Sequence, residues 1–157
     1  MPYTLIASIG TGMYDKSKND STGYRITTYR FPNGIEISSR LFLFSILESR
    51  NWDINQVILV GSKTSSWDAL IVQAYESDEQ YASMWLRLIE ECEQIDGAGI
   101  SESSLSHLQT LLGNLFGIPF LLRAHDPTVN NDTLPSIFPL YREIAAEIPY
   151  GNDVLLT

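Results

Sequence analysis

Glycines, hydroxyls and a lysine follow two apolar stretches of the chain. Gly10-Thr11-Gly12 and Tyr14 come directly after the stretch Tyr3–Ile9, and a hydroxyl-rich segment follows Gln56–Val60. Backbone N–H groups and hydroxyls bind phosphate oxygens, lysines neutralise charge, and aromatic rings stack on bases. This combination is typical of a nucleotide-sized anionic site. The candidate ligand-binding residues are Gly10, Thr11, Gly12, Tyr14, Ser62, Lys63, Thr64, Ser65, Ser66 and Trp67.

Two of these features also have purely structural explanations. Gly10-Thr11-Gly12 is equally compatible with a plain tight turn at a strand end, because glycines are common there. Trp67 is equally compatible with a core residue at the start of a helix. The sequence leaves both interpretations open.

Other chemistries fit the sequence poorly. A dinucleotide fingerprint needs a third glycine, but Asp15 stands there, and the segment leads to a strand rather than a helix. Of the two histidines, His107 is predicted on a helix surface, whereas His125 follows a strand without an evident nucleophile partner. Neither has metal-ligand spacing to Cys92, which we predict to be a small core residue of a helix. We therefore expect no catalytic residue, no cofactor and no metal in this chain.

Charge and composition narrow the class of partner. The chain of 157 residues has 19 acidic and 10 basic side chains, a net charge of −9, which argues against binding to duplex DNA. Its lysines are Lys16, Lys18 and Lys63, just after the first and third predicted strands. We find no membrane-spanning stretch and no signal peptide, and the single cysteine is consistent with a reducing cytosol. We expect a cytoplasmic protein without membrane contact.

Apolar periodicity defines the elements that must position these residues. Strands are predicted at Tyr3–Ile9, Tyr24–Phe31, Gln56–Val60, Ile118–Arg123 and from Asp153. Helices are predicted at Ile35–Ser49, after an N-cap at Ser65 or Ser66, and at Asp78–Ile95, Ser101–Gly113 and Leu134–Ile148. This order predicts one α/β domain over residues 1–157, a Rossmann-like open, mainly parallel sheet with helices on both faces.

The predicted topology brings three loops together. The loops after strands one, three and four emerge on the same edge of a parallel sheet. They comprise Gly10–Lys18, Gly61–Trp67 and Ala124–Asn131. The candidate ligand-binding residues belong to the first two of them.

The order of the motifs resembles one known family. The chain is similar to the CRISPR-associated Rossmann-fold (CARF) sensor domain in three motifs: Gly10-Thr11-Gly12-x-Tyr14, then Tyr24-Arg25-x-Thr27-Thr28-Tyr29-Arg30-Phe31, then Gly61-Ser62-x-Thr64-Ser65-Ser66-Trp67. The resemblance covers essentially the whole chain. It implies a homodimer that binds cyclic oligoadenylate, with tetra- or hexa-adenylate expected, across its two-fold axis, and that regulates a fused effector in type III CRISPR antiviral defence. Such effectors are ribonucleases, DNA nucleases or adenosine deaminases, so this chain alone is expected to sense rather than catalyse.

One departure from the family concerns the end of the chain. The family carries a second ligand motif, Asp-x-Thr-His-Gly-x-Arg, just after the strand that starts here at Asp153, whereas this chain stops at Thr157. We therefore expect a piece of a longer effector. Two alternatives remain: a ring nuclease that degrades cyclic oligoadenylate, and a structural α/β interaction domain without a ligand.

Overall fold

Four parallel strands form the central sheet of the computed structural model, which describes residues 1–10, 25–77, 83, 86–88, 100–125 and 134–157. The elements are β1 (Tyr3–Ile9), β2 (Thr27–Arg30), β3 (Glu36–Ser39), α1 (Phe42–Ser49), β4 (Ile54–Ser62), α2 (Trp67–Ser77), α3 (Glu102–Phe116), β5 (Phe120–His125), α4 (Leu134–Glu147) and β6 (Asp153–Leu156). The order in the sheet is β5-β4-β1-β6. The predicted Rossmann-like α/β class, with helices on both faces of the sheet, is confirmed.

The order of the strands reverses at β1. From β1 the chain moves to β4 and then to β5 on one side, and it returns after α4 to place β6 on the other side of β1. Parallel strands need such crossover connections, which are right-handed in nearly all proteins. The helices before and after the reversal therefore lie on opposite faces of the sheet.

The main core fills one face of the sheet. Leu5, Ala7 and Ile9 of β1 alternate inward with Val57 and Leu59 of β4, as the two-residue period of a strand requires. Ile58 of β4 and Ile144 of α4 are also buried but lie outside this cluster. Continuous burial of β4 on both faces is the reason why its sequence reads as an unbroken apolar run.

A β-hairpin replaces the first turns of a predicted helix. We predicted a strand at Tyr24–Phe31 and a helix at Ile35–Ser49, but Thr27–Arg30 pairs antiparallel with Glu36–Ser39, and the helix begins only at Phe42. Ile37 and Leu41 have helical spacing, yet the turn at Gly34, with φ +84°, folds the segment back as a strand. Cross-strand contacts hold the pairing: Thr28 and Ser38 share a hydrogen bond of 2.6 Å, and Arg30 pairs with Glu36.

The remaining predictions differ from the structure mainly at element ends. The helix predicted at Ser101–Gly113 runs to Phe116 with Ser101 as its N-cap. Of the helix predicted at Asp78–Ile95, the described residues Ser83 and 86–88 are helical, while the remainder, with Cys92, lies outside the described residues. Tyr141 and Ile144 have the spacing of one helix face, but the side chain of Tyr141 is exposed whereas that of Ile144 is buried. The inward stripe of α4 is therefore narrower than its sequence suggests.

Candidate functional site

The ends of three parallel strands meet at one edge of the sheet, as predicted. Ile9 of β1 is in register with Gly61 of β4, and Ser62 of β4 with His125 of β5. The loops are also joined beyond the strands. The N–H of Ser66 donates to the carbonyl of Gly10 at 2.8 Å, and the N–H of Lys63 donates to the carbonyl of His125 at 2.9 Å. The carboxyl ends of β1, β4 and β5 therefore form one connected surface.

The loop between β4 and α2 is closed by its own hydrogen bonds. The N–H of Ser65 donates to the carbonyl of Ser62 at 3.0 Å, which defines a tight turn. The hydroxyl oxygen of Ser65 accepts the N–H of Ser62 at 2.9 Å. The hydroxyl of Ser62 lies 3.2 Å from that of Thr64 and 3.1 Å from that of Ser65. The predicted cluster of hydroxyls therefore exists, but its members form hydrogen bonds with one another and with the backbone.

Gly61 allows this turn to lie against the end of β1. A Cβ built on Gly61 would stand 3.0 Å from the hydroxyl oxygen of Ser65, 3.0 Å from Cζ2 of Trp67 and 3.1 Å from the carbonyl oxygen of Ile9. Contacts of this length are tighter than nine in ten that real Cβ atoms make, so the neighbouring atoms would have to shift. A glycine is favoured here because of space.

Trp67 and Ser66 lie inside the protein. The indole ring of Trp67 is 2% exposed, and its Nε1–H donates to the carbonyl of Ser62 at 2.8 Å. A ring in this position has no open face for a base, so it fits the alternative of a core residue at the start of α2. Ser66, 4% exposed, contributes its N–H to Gly10.

Lys63 extends from a fixed piece of backbone. Its N–H donates to His125, and its carbonyl accepts the N–H of Ile100 at 2.8 Å. The half-buried side chain lines a cleft of about 320 Å³ beside the edge strand β5. Its lining residues are Lys63, Ile100, Glu102, Leu105, Ser106, Gln109, Leu122, Arg123 and Ala124.

The cleft contains residues that sequence reasoning missed. Arg123 adds a second cation, Glu102 is the single carboxylate of the lining, and Ser106 and Gln109 add polar groups. Gln109 also closes the free edge of the sheet, since its Oε1 accepts the N–H of Leu122 at 3.0 Å. The alternation of Leu122 with Arg123 and His125 in β5 was a signal for Arg123. No signal in the sequence pointed to the residues that α3 contributes, because nothing in it places that helix beside Lys63.

His125 is oriented by the neighbouring strand. Its Nδ1 lies 2.9 Å from the carbonyl oxygen of Gly61. A carbonyl only accepts, so Nδ1 carries the hydrogen, and a neutral imidazole then has its lone pair on Nε2. This is the arrangement of a histidine that can accept a proton or bind a hydroxyl. His107, by contrast, is exposed on α3, as predicted.

Several predicted site residues lie outside the described residues. These are Thr11, Gly12 and Tyr14, together with the lysines Lys16 and Lys18. Gly10 is described, exposed, and bonded through its carbonyl to Ser66. Of the third predicted loop, Ala124–Asn131, the structure describes Ala124 and His125.

Among the described residues, no group of three or more His, Cys, Asp or Glu side chains is placed to hold a metal ion. Within those ranges, no helix combines the length and apolar character needed to cross a membrane.

The fold and the site define an α/β protein with an open parallel sheet and a polar, partly cationic surface at the carboxyl ends of its strands. Comparison with known proteins adds no relative: no family model, no curated protein and no solved structure matches this chain.

Proposed function

We propose that this chain is a CARF-type sensor domain that binds cyclic oligoadenylate at the carboxyl edge of β1, β4 and β5. The observation that carries the proposal is the fixed position of Lys63 between that edge and a cleft of about 320 Å³. Ligand sites commonly occupy about 300–1,000 Å³. The surroundings of Lys63 supply what a phosphate needs, because Arg123 adds positive charge and the hydroxyls of Ser62 and Thr64 add hydrogen-bond partners.

The sequence motifs support the choice of this ligand. The first and third of the motifs that resemble the CARF family begin at the same edge, where the carbonyl of Gly10 accepts the N–H of Ser66. We accordingly propose a cytoplasmic homodimer that senses cyclic tetra- or hexa-adenylate and regulates a fused ribonuclease, DNA nuclease or adenosine deaminase in type III CRISPR defence. A ligand with internal symmetry suits a site shared by two identical chains.

Thermal unfolding with candidate ligands tests the proposal. Cyclic tri-, tetra- and hexa-adenylate are compared with linear oligoadenylate and ATP. A ligand present at about 100 times its Kd stabilises the folded state by about 2.7 kcal/mol, a rise in Tm of several degrees. We expect a shift with one ring size and none with linear oligoadenylate. Equal shifts for every nucleotide, or none, would contradict a sensor of a cyclic messenger.

Exchange of Lys63 for glutamate tests the site. We expect Lys63→Glu to weaken binding while leaving Tm in the absence of ligand nearly unchanged. An exchange of a cation for glutamate makes the net charge of −9 more negative by two units, and this alone repels an anionic ligand wherever the exchange is made. The matched control is therefore Arg50→Glu, which makes the same charge change at an exposed position after α1. If both variants lose affinity equally, Lys63 has no specific role. If Lys63→Glu also lowers Tm strongly, the residue is structural.

A ring nuclease is the second candidate, favoured by the orientation of His125. With Nδ1 bonded to Gly61, Nε2 is the atom that would accept a proton. Cleavage would form a bond between a ribose O2′ and the adjacent phosphorus and break the P–O5′ bond, giving a 2′,3′-cyclic phosphate. Chromatography of the ligand after incubation separates the candidates. A sensor returns the ring intact, whereas a nuclease yields linear products that His125→Gln should abolish.

A further inference from the structure

The turn between β2 and β3 contains an asparagine followed by a glycine. Asn33-Gly34 is the only such pair in the chain of 157 residues. An asparagine side chain can react with its own backbone, because the nitrogen of the following residue can attack the side-chain carbonyl carbon. A side chain on that following residue hinders the attack, and glycine has none. The sequence therefore marks Asn33 as the asparagine of this chain that is most open to deamidation.

The turn leaves space around the reacting atoms. Asn33 and Gly34 are both exposed. Gly34 has φ +84°, and a Cβ built on it would find no atom within 4 Å. Water, which the last step of deamidation consumes, therefore reaches the pair.

Hydrogen bonds hold the pair in an unreactive arrangement. The N–H of Gly34 donates to the carbonyl of Phe31 at 2.9 Å, and the nitrogen must lose this hydrogen in order to attack. The side-chain amide of Asn33 is bonded at both ends. Its Oδ1 accepts the N–H of Ile35 at 3.2 Å, and its Nδ2 donates to the carbonyl of Ser49 at 2.8 Å. The reaction therefore requires the turn to open.

Two of the contacts of Asn33 fix the turn to the end of α1. The N–H of Asn33 donates to Oδ1 of Asn51 at 3.1 Å. Ser49 belongs to the last turn of α1, where carbonyls have no partner inside the helix. Exposed hydrogen bonds of this kind open locally far more often than a whole protein unfolds. The rate of deamidation in the folded protein is then the rate in the open turn multiplied by the fraction of time for which the turn is open.

We propose that Asn33 is a site of self-modification by deamidation, and that its contacts with α1 set the rate. In the open turn, the backbone nitrogen of Gly34 forms a bond to Cγ of Asn33. The bond from Cγ to Nδ2 breaks, and ammonia leaves with the hydrogen from Gly34. Water then hydrolyses the cyclic imide. Opening at Cγ gives aspartate, and opening at the main-chain carbonyl gives isoaspartate. In both products a carboxylate replaces the amide.

Neither product can restore the contact with α1. A carboxylate has no hydrogen to donate to the carbonyl of Ser49, which accepts from Nδ2 in the unmodified protein. The carboxyl-terminal end of a helix also has a partial negative charge, which repels an anion. Deamidation therefore replaces an attraction between the hairpin and α1 by a repulsion. This consequence does not depend on any ligand.

Mass spectrometry of the wild-type protein tests the site. The protein is incubated at mildly alkaline pH with and without urea and then digested, and the peptides with Asn33 and Asn114 are compared. Asn114 is the internal control, because it is exposed but is followed by Leu115. In urea we expect Asn33 to deamidate much faster than Asn114. In the folded protein we expect Asn33 to react at least about tenfold more slowly than in urea, since opening breaks several hydrogen bonds.

Two pairs of variants test the contacts with α1. Asn51→Ala removes the oxygen that accepts the N–H of Asn33, so we expect faster deamidation of the folded protein and an unchanged rate in urea. Asn114→Ala makes the same exchange on α3 and should leave the rate at Asn33 unchanged. Asn33→Asp reproduces one product, and we expect it to lower Tm more than Asn114→Asp does. The latter adds the same charge near the end of another helix.

The possible outcomes decide the proposal. Faster loss of Asn33 than of Asn114 in urea, with slow loss in the folded protein, supports it. Equal rates at Asn33 and Asn114 in urea would refute Asn33 as the site. Equal rates at Asn33 with and without urea would show that the hydrogen bonds do not control the reaction, and so would a wild-type rate in folded Asn51→Ala. If Asn51→Ala does not fold, the wild-type comparison decides, because it needs no substitution.

Discussion

Gly61→Ala is expected to destabilise the protein, although it adds a single methyl group. The new Cβ meets the hydroxyl oxygen of Ser65, Cζ2 of Trp67 and the carbonyl oxygen of Ile9 at 3.0–3.1 Å. Overpacking of this kind costs about 1–3 kcal/mol. We expect the cost of Gly61→Ala to lie near the upper end of this range, because the indole ring is buried and the carbonyl belongs to a central strand.

The unfolded state offsets part of this cost. Alanine restricts the unfolded chain more than glycine does, which favours folding by about 0.4–1 kcal/mol. A net loss of about 2 kcal/mol remains, equivalent to a Tm lower by roughly 4–8 °C in a chain of this size. The measurement is urea unfolding together with a thermal scan, both followed by circular dichroism.

Gly113→Ala is the matched control. Gly113 lies within α3, and a Cβ there would have the carbonyl oxygen of Ile118 as its nearest neighbour, at an ordinary 3.4 Å. Alanine is favoured over glycine inside a helix by about 0.8–1.0 kcal/mol. The same exchange should therefore raise Tm at position 113 and lower it at position 61. A Gly61→Ala protein as stable as the wild type would refute the close approach of the β4–α2 turn to β1.

Four further predictions follow from contacts described above or found at helix ends. Trp67→Phe removes the indole donor to Ser62 and should cost about 1–3 kcal/mol in urea unfolding; a Tm equal to wild type would show that the hydrogen bond does not form. Ser101→Ala removes the side-chain oxygen that accepts the N–H of Ser104 and should cost about 1 kcal/mol, whereas Ser103→Ala, two residues further along the chain, should have no such effect. Arg30→Ala breaks an exposed ion pair with Glu36 and should change stability by under about 1 kcal/mol; a larger loss would mean that the hairpin depends on this pair. Desolvation raises the pKa of Glu48 above its usual 4.5, so its charged form opposes folding. Stability from this group is present below pH 4.5 and is lost as the pH rises through the raised pKa. Glu48→Gln should remove this dependence, and an unchanged pH profile of Tm would contradict it.

The sequence predicts the buried strands more reliably than the hairpin. β1, β4 and β5 are apolar runs that end in polar loops, so the meeting of their carboxyl ends at one edge follows from general rules. The segment around Ile37 and Leu41 is too short for periodicity to distinguish strand from helix. Its conformation depends on pairing with Thr27–Arg30, a contact that spacing within the segment does not encode.

The candidate site, too, was predicted only in part. The hydroxyl-rich loop after β4 was predicted, but the internal hydrogen bonds of Ser65 and Trp67 were not, because a list of donors does not say which acceptor each will find. The position of β6 beside β1 was not predicted either, because strand order is a property of the whole fold.

The pairing of β1 with β6 has a consequence for the order of folding. Asn152, just before β6, donates from Nδ2 to the hydroxyl of Thr4 at 2.8 Å, a contact that spans 148 residues. Contacts between such distant segments form slowly, because a long loop must close before they contribute any stability. During synthesis, β1 leaves the ribosome long before β6, so the edge of β1 that pairs with β6 stays open until the residues between the two strands have been made. The position of β6 beside β1 is therefore the last place in the sheet to be filled.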